Sequence, residues 1–385
     1  MAGRTKMKTS KRLDKFPEYV FSRLGRRKKE IERETGRRVL DLSIGTPDYP
    51  PSKKYISKLK EYITNSDSHL YPGFGANKEF SDALIIWYKK RFGVSLSPNE
   101  LLPLLGGKDG VSHLPLALAD NGDEALIPDP GYPGFTGPAL MFGVKPVYYT
   151  LSQENNFKPN IAELKKKVSQ KTRYIWVNFP SNPTGAVATL SDLKPLVVFA
   201  KKHDITLIYD NAYAEITYGG FVAPSILEIP GAKDIAVELG SFSKSHSFAG
   251  DRMGWLVGNH EVVASLAKVK SQMDSGMWLP LQKTGAYALL HEDKTWKRAM
   301  LKDYMRRRDI IAKYLKTLGL TFKLPEGGLY IWAKIPGNIK SEEFCIKLLE
   351  EKQILLAPGS AFGVGGEGYV RVCFSSNIIG IETYF

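Results

Sequence analysis

The stretch TRYIWVNFPSNPTGA, residues 172–186, joins a short apolar run to a turn rich in proline and asparagine. The next apolar run, ITLIYD (205–210), ends at an acid, and IAVELGSFSK (235–244) ends at a lysine. Between the first two runs, residues 190–204 have the spacing of an amphipathic helix. This alternation of strand-like and helical segments predicts a mostly parallel sheet covered by helices on both faces.

Four other short apolar runs continue the alternation, so the sequence predicts seven strands of this kind. The fold class we expect is α/β: a large domain with a mostly parallel seven-stranded sheet flanked by helices, plus a smaller α+β domain. The additional runs are residues 101–105, 124–129, 145–151 and 253–258.

The C-terminal part of the chain has a different pattern. Apolar residues at helical spacing predict one long helix over residues 293–319, which ends at Gly319. Residues 321–335 are expected to form two strands, followed by a helix over 341–352 and a strand over 369–374.

We expect three segments along the chain. Residues 1–45 are predicted to be an N-terminal arm that is part of the small domain, and residues 46–280 to be the large domain. Residues 281–385 are predicted to be the C-terminal small domain. Its apolar end, with Ile381 and Tyr384, indicates the start of one more helix, cut short.

The net charge of +14 is concentrated near the N-terminus. Residues 1–38 contain 14 Lys and Arg against 5 Asp and Glu, whereas the rest of the chain is much closer to balance. Such an arm can touch nucleic acid or the acidic face of a partner. Because it has no helix-turn-helix pattern and no interleaved aromatic residues, we expect a solvated tail and no nucleic-acid partner.

The composition also argues against several classes of protein. No run approaches the roughly 18 apolar residues of a membrane-spanning helix, so we expect no membrane partner. The two cysteines, Cys345 and Cys373, form no CxxC or Cys/His cluster, which fits a reducing, cytoplasmic compartment. The six histidines lack HxxxH and HExxH spacing, so we expect no metal site, and His246 is expected to be structural.

Polar residues follow three successive predicted strands at the points where the strands end. Asn182 lies in the first turn, Asp210 ends the next strand with Tyr213 just beyond it, and Lys244 follows the third. Each alone has a simpler explanation as a turn residue, a helix cap or a surface lysine. Because ligands of an open α/β sheet bind at the carboxyl ends of its strands, one shared site explains them together.

A glycine-rich turn, Gly106–Gly110, follows a predicted strand and opens a helix, where free N–H groups and the helix dipole favour an anion. Lys108, Ser241, Ser243 and Arg252 add charge and hydroxyl groups for one phosphate. A lysine for a Schiff base, an acid that keeps a pyridine nitrogen protonated and a phosphate anchor together indicate pyridoxal 5′-phosphate.

Eight motifs are spread along the chain: DLSIGTPD (41–48), HLYPGFG (69–75), PDPGYPGF (128–135), NFPSNPTGA (178–186), YDNAYAEI (209–216), SFSKSHSFAGDRMGW (241–255), APGSAFG (357–363) and YVRV (369–372). With them the chain resembles a fold-type I aminotransferase of class I/II, and more closely the LL-diaminopimelate aminotransferase branch. The resemblance covers nearly the whole chain. It implies a pyridoxal-phosphate enzyme that moves an amino group from an L-amino acid to a 2-oxo acid by a ping-pong route.

The resemblance also implies a role for each matching residue. Lys244 would form the Schiff base and carry a proton between the substrate Cα and the cofactor C4′. Asp210 would pair with the pyridine nitrogen. Asn182 and Tyr213 would hydrogen-bond the ring oxygen, and Tyr132 would stack on the ring.

The cofactor phosphate and the substrate have further implied partners. Tyr71 would reach the phosphate of the neighbouring subunit, which implies a homodimer with shared active sites. Arg371 would grip the substrate α-carboxylate, helped by Asn182 and the backbone at Gly45, and Tyr19 would close over the substrate. The other implied phosphate ligands are Gly107, Lys108, Asp109, Ser241, Ser243 and Arg252.

The sequence departs from the family pattern at two positions. Asp251 stands where the family usually has an aromatic residue before Arg252, and Phe74 stands where plant-type diaminopimelate enzymes carry a glutamate for the distal ammonium. The donor therefore stays open between diaminopimelate (with 2-oxoglutarate as acceptor), aspartate, alanine and other amino acids. A lyase reaction on the same fold and a binding protein without catalysis are the remaining alternatives.

Overall fold

The computed structural model describes residues 9–15 and 20–384, apart from the side chains of Leu13 and Lys15. Within these ranges, no helix has the length and apolar character needed to cross a membrane. The strands in the described part, in chain order, are β1 (Leu40–Asp41), β2 (Leu101–Leu104), β3 (Glu124–Asp129), β4 (Lys145–Thr150), β5 (Thr172–Asn178), β6 (Thr206–Asp210), β7 (Ala236–Ser241), β8 (Gly254–Gly258), β9 (Tyr330–Lys334), β10 (Ile354–Leu355), β11 (Ala357–Pro358) and β12 (Tyr369–Cys373).

The central sheet contains all seven strands expected from the apolar runs, so the predicted mostly parallel α/β sheet is confirmed. Their order is β2-β8-β7-β6-β5-β3-β4. β8 is antiparallel to its neighbours β2 and β7, and the remaining pairs of neighbours are parallel. β7 and β8 are buried at every position, which is why neither shows an alternation in the sequence; β8 is a continuous apolar run, and the run of β7 is interrupted only by the buried Glu238 before it ends at Ser241.

Helices cover both faces of this sheet. Side chains of β5 alternate between two cores: Ile175 and Val177 pack on one side, and Tyr174 and Trp176 on the other. The helices are α1 (Val20–Thr35), α2 (Lys53–Ile63), α3 (Lys78–Phe92), α4 (Gly107–Leu118), α5 (Thr136–Met141), α6 (Ile161–Lys167), α7 (Leu190–His203), α8 (Phe242–Ser245), α9 (His260–Lys270), α10 (Leu279–Leu290), α11 (Lys294–Thr317) and α12 (Ser341–Lys352).

A second, smaller sheet has the antiparallel order β11-β12-β9 and packs with α11 and α12. The predicted long helix and the helix after it correspond to α11 and α12. The prediction of two strands in residues 321–335 is wrong in part, because only β9 forms and Thr321 makes just an isolated bridge to Lys334. Pro325 lacks an N–H, and Gly328 has a φ of 76°, so the chain turns before β9. Near the C-terminus, Ile381–Thr383 forms a short 3₁₀ turn.

The N-terminal helix is attached to the small sheet region. Leu24 and Ile31 of α1 are buried against residues of α12 and β10, and β1 pairs in parallel with β10. Arg27 forms a 2.9 Å ion pair with Glu350 of α12. The expectation of a solvated tail is therefore wrong for Val20–Thr35, because Arg23, Arg27 and Lys28 form ion pairs and the apolar face is covered.

The predicted boundary at residue 281 lies inside α10. Leu281, Ala286 and Leu289 of this helix share a core with Phe80 of α3, next to the large sheet. By packing, α10 therefore goes with the large sheet, and α11 is the first helix of the small unit. The division of the chain into domains stays a prediction.

Candidate active site

A cavity of about 460 Å³ lies at the carboxyl ends of β5, β6 and β7 and collects most of the predicted site residues. Because these strands are parallel neighbours, their last residues, Asn178, Asp210 and Ser241, reach the same edge of the sheet. The predicted residues that line the cavity are Gly45, Gly107, Lys108, Tyr132, Asn182, Asp210, Tyr213, Ser241, Ser243, Lys244, Arg252 and Arg371.

Asp210 ends β6 with a carboxylate that has few partners. Its Oδ1 accepts a 3.2 Å hydrogen bond from the Ala212 N–H, and Asn178 Nδ2 donates a 2.8 Å bond to its backbone oxygen. Burial raises the pKa of Asp210 to about 6, and only the bond from Ala212 opposes this effect. Within residues 9–15 and 20–384, no cationic side chain pairs with it. The site can therefore accept a cationic N–H donor at this carboxylate.

Lys244 lies in α8, immediately after β7. Its Nζ donates a 2.5 Å hydrogen bond to the backbone oxygen of Gly45. Burial lowers the pKa of Lys244 to about 8, and the positive charges of Arg371 and Arg252 act in the same direction. About half of the amine is therefore neutral at pH 8, and the neutral form is the one that attacks a carbonyl carbon.

The first turn of α4 borders the cavity through Gly107 and Lys108. Gly106 precedes it with a φ of 81°, and a Cβ at this position would overlap the guanidinium of Arg252. A Cβ at Gly254 would lie 3.0 Å from the Gly107 nitrogen, so glycine is needed for this close approach as well. The backbone N–H groups of a helix N-terminus are thus brought next to an arginine.

The hydroxyl groups of Ser241 and Ser243 and the guanidinium of Arg252 complete this end of the cavity. Ser241 caps α8 by accepting a 3.1 Å bond from the Ser243 N–H, and both side chains border the cavity. Arg252 is held by a 2.7 Å bond from Nη1 to the Ala249 oxygen. The helix N-terminus, Lys108, Arg252 and the two serines together form a site suited to a phosphate.

Arg371 enters the cavity from β12 and is buried, with 5% of its surface exposed. Its Nη1 donates a 2.8 Å bond to Asn182 Oδ1, and its Nη2 donates a 2.5 Å bond to the Ser43 oxygen. The guanidinium lies 4.3 Å from the ring centre of Tyr330 and 4.6 Å from that of Phe362. Its partners are neutral, and it forms no ion pair in the described part of the chain. Such a cation is suited to binding an incoming carboxylate.

Sequence analysis missed the aromatic side chains around this arginine. Phe21 of α1, Tyr330 of β9 and Phe362 line the cavity, as does Ile44. Tyr330 lies in an apolar run that indicates only a buried strand, and Phe21 lies outside the motifs. Phe362 and Ile44 lie within two of the motifs, residues 357–363 and 41–48, but nothing in those motifs singles them out. The four residues meet because segments distant in sequence pack together.

Asp109 is a predicted phosphate ligand whose carboxylate the structure does not bring into the cavity. It accepts a 2.7 Å bond from the Leu105 N–H, bonds to His113 Nδ1 at 2.7 Å and pairs with the buried Lys270. Lys270 also pairs with Asp274 at 2.6 Å. Burial opposes ionisation of Asp109, but the bonds from His113 and Lys270 hold its pKa below the usual range. Asp109 therefore anchors the turn that precedes α4.

The other predicted residues and departures lie elsewhere. Tyr71 is 88% exposed and lies outside the cavity of its own chain. Tyr19 falls outside the described residues. His246 is buried and bonded to Ser245 Oγ at 2.8 Å, in agreement with a structural role. Asp251 does not line the cavity, and burial raises its pKa.

Comparison with known proteins supports the same interpretation. Residues 37–378 match the family Aminotransferase class I and II. The LL-diaminopimelate aminotransferase of Aquifex aeolicus is 41% identical over 94% of both chains, and LL-diaminopimelate aminotransferase 2 of Trichormus variabilis is 38% identical over 96% of this chain and 95% of its own. The solved structure of apo-BacF from Bacillus subtilis is 31% identical, with a TM-score of 0.93 over 98% of this chain and 97% of that one.

The chain therefore belongs to the class I and II aminotransferase family. It is a pyridoxal-phosphate-dependent transaminase with the fold-type I architecture. Its reaction is the transfer of an amino group from an L-amino acid to a 2-oxo acid.

Replacement of Lys270 by methionine tests the anchoring of the turn before α4. We expect Lys270→Met to lower the free energy of unfolding by about 3–5 kcal/mol, because it leaves the buried Asp109 and the half-buried Asp274 without their cation. Denaturant unfolding followed by circular dichroism measures this change.

Lys268→Met on the exposed side of α9 is the control and should change stability by less than about 0.5 kcal/mol. Adding Asp109→Asn to Lys270→Met should recover part of the loss. A double variant as unstable as the sum of the two single variants would contradict the coupling.

Proposed function

We propose that Asp210 pairs with the ring nitrogen of pyridoxal phosphate and that Lys244 binds its aldehyde carbon. The support is the charge of the cavity: Asp210 has no cationic partner among the described residues, and Lys244 is an amine whose pKa is close to 8. The ring nitrogen and the aldehyde of pyridoxal phosphate match these two groups, and its phosphate matches the N-terminus of α4. The residues that line the cavity therefore fit this cofactor.

The other cavity residues provide the remaining contacts with the cofactor. Asn182 Oδ1 accepts from Arg371, which leaves its NH₂ group to donate to the ring oxygen together with Tyr213. Tyr132 would stack on the ring. The phosphate would be held by Lys108, Ser241, Ser243, Arg252 and the N–H groups from Gly107 onward.

When bound, pyridoxal phosphate supplies a ring that accepts the electron pair left by cleavage of the substrate Cα–H bond. The protein contributes control of the proton. Lys244 takes the proton from Cα and returns it to C4′ of the cofactor, for which its lowered pKa is suited. Asp210 keeps the ring nitrogen protonated through its negative charge.

The single observation that carries this function is that Arg371 is a buried cation with neutral partners, in the same cavity as Lys244 and Asp210. A buried cation is stable only if an anion or several dipoles surround it. We assign the α-carboxylate of the amino acid to Arg371, with help from the backbone at Gly45. The role of Tyr19 in closing over the substrate stays a prediction.

For the donor, we propose LL-diaminopimelate with 2-oxoglutarate as acceptor. The support is the similarity, at 38–41% identity over nearly the full length, to two LL-diaminopimelate aminotransferases. A second candidate is a donor with an apolar side chain, favoured by the cavity lining. Phe21, Ile44 and Phe362 border the cavity, and Asp210 is the only acid among its described lining residues.

A donor screen with Arg371→Lys tests the carboxylate anchor. We expect Arg371→Lys to weaken every amino donor by about tenfold or more, since one charge-assisted bond of a fork is lost. The measurement is the change in cofactor absorbance as LL-diaminopimelate, glutamate, aspartate, leucine or phenylalanine is added singly.

Arg306→Lys, at an exposed position on α11, is the control and should match the wild type. A loss confined to one donor would show that Arg371 is not the common anchor. A response to leucine and phenylalanine without one to diaminopimelate would favour the second candidate.

Labelling of Lys244 tests the cofactor assignment. After removal of the cofactor, added pyridoxal phosphate fixed with borohydride should be found on the peptide that contains Lys244. The rate of labelling should rise as pH increases through about 8 and then level off, because the neutral amine forms above the lowered pKa. A label on another lysine, or a rate still rising steeply above pH 9, would refute the assignment.

We further propose that the enzyme is a cytoplasmic homodimer with shared active sites. Both cysteines are buried and unpaired, which fits a reducing compartment. In the loop after Ser68, Leu70 is 67% exposed and Tyr71 is 88% exposed. A 2.6 Å hydrogen bond from Trp278 Nε1 to the Ser68 oxygen connects this loop to the start of α10. An exposed apolar surface of this kind suits a second copy of the chain.

Mixed dimers test the shared site. Lys244→Ala and Tyr71→Ala should each be nearly inactive alone, and their mixture should recover activity, because one site of the mixed dimer contains both wild-type residues. Activity and light scattering are measured on the co-expressed proteins.

A mixture of Lys244→Ala with Lys108→Ala is the control, since both residues border the same cavity. Its mixed dimer contains no intact site and should stay inactive. A Tyr71 mixture that stays equally inactive would show that each subunit works alone.

A further inference from the structure

Tyr330 and Arg371 lie on adjacent strands of the small sheet and on the same face. β9 and β12 are antiparallel, and Tyr330 stands opposite Cys373, two residues beyond Arg371. Because side chains two residues apart on a strand project from the same face, Tyr330 and Arg371 are diagonal neighbours. Tyr330 is 2% exposed and lines the cavity.

The ring of Tyr330 supports the guanidinium of Arg371. The distance from the guanidinium carbon to the ring centre is 4.3 Å, which is well within the range of cation–π attraction. Gly45 allows the Tyr330 side chain to take this position, because a Cβ on residue 45 would overlap the tyrosine hydroxyl. The ring thus restricts the orientation of the arginine without neutralising its charge.

The hydroxyl of Tyr330 has a different partner. It lies 2.8 Å from the hydroxyl of Tyr213, and either oxygen can donate. Tyr213 has a single proton, which the proposed function directs to the ring oxygen of the cofactor. Tyr330 must then donate to Tyr213. Donation to a hydroxyl strengthens that hydroxyl as a donor, since hydrogen bonds in a chain polarise one another.

We propose that Tyr330 is a positioning residue with two separable parts: its ring orients the carboxylate-binding Arg371, and its hydroxyl strengthens Tyr213 as a donor to the cofactor. This inference rests on the proposed roles of Arg371 and Tyr213. It links the substrate anchor on β12 to the cofactor contact that follows β6.

The hydroxyl is tested by a pH titration of the cofactor absorbance. A weaker donor at the ring oxygen leaves more negative charge there, which raises the basicity of the nitrogen contributed by Lys244. We expect the midpoint to rise in Tyr330→Phe and to rise further in Tyr213→Phe. The double variant should have the midpoint of Tyr213→Phe alone, because the Tyr330 hydroxyl acts through Tyr213.

The ring is tested by the binding of glutarate, an unreactive dicarboxylate, to the cofactor-loaded protein. The dissociation constant should stay within about twofold of wild type in Tyr330→Phe and rise by about fivefold or more in Tyr330→Leu. With an amino donor, Tyr330→Phe should lower kcat with little change in KM, whereas Tyr330→Leu should also raise KM. If Tyr330→Leu does not fold, Tyr330→Met serves the same comparison.

Tyr304→Phe is the matched control, since Tyr304 is a buried tyrosine of the same core that does not line the cavity. It should change neither the midpoint nor glutarate binding. A wild-type midpoint in Tyr330→Phe, a further shift in the double variant, or unchanged glutarate binding in Tyr330→Leu and Tyr330→Met would overturn the inference. Failure of the wild-type protein to bind pyridoxal phosphate would overturn the proposed function instead.

Discussion

Asp210, Lys244 and Arg371 carry charge in one cavity, and none of them has an ion-pair partner within the described residues. The pKa of Asp210 is raised to about 6 and that of Lys244 is lowered to about 8. Near neutral pH, the charge on each of these two residues therefore lowers the stability of the folded chain by about 3 kcal/mol relative to the unfolded chain. The cost falls for Asp210 as pH drops below about 6 and for Lys244 as pH rises above about 8. The two cores of the sheet must offset this cost so that the site is ready for ligands.

The cavity is assembled from three segments, each fixed by its own contacts. The sheet presents Asp210 and the helix that carries Lys244, and the small sheet presents Arg371. The N-terminal segment is fixed by backbone bonds on both sides: the Leu42 N–H donates to the Leu355 oxygen at 2.9 Å, and the Cys373 N–H donates to the Leu42 oxygen at 2.8 Å. These bonds place the Ser43 and Gly45 oxygens against Arg371 and Lys244. Because the cavity is built from all three segments, its geometry depends on the pairing of β1 with β10 as much as on the large sheet.

The sequence predicted those site residues whose position follows directly from the end of a strand. Lys244, Asp210 and Asn182 each follow a buried run, and the parallel sheet necessarily brings the ends of such runs together. It could not predict Tyr330 and Phe21, whose position depends on packing between distant segments. The resemblance implied Asp109 as a phosphate ligand, but its carboxylate is taken up by His113, Lys270 and the Leu105 N–H, which are partners that the local sequence does not reveal. The extra strand predicted before β9 failed for a local reason, since proline and glycine interrupt the pairing.

The neutral surroundings of Arg371 follow from what it must bind. An acidic partner would hold the guanidinium firmly, but it would compete with the substrate carboxylate for the same N–H groups. Asn182 and the Ser43 oxygen use only part of the donor capacity, and the faces of Tyr330 and Phe362 attract the cation without accepting its N–H groups in the plane. Within the described residues, the Nε–H is left buried and without an acceptor. An unpaired buried donor costs free energy until a ligand arrives, so the arrangement favours the carboxylate-bound state over the empty one.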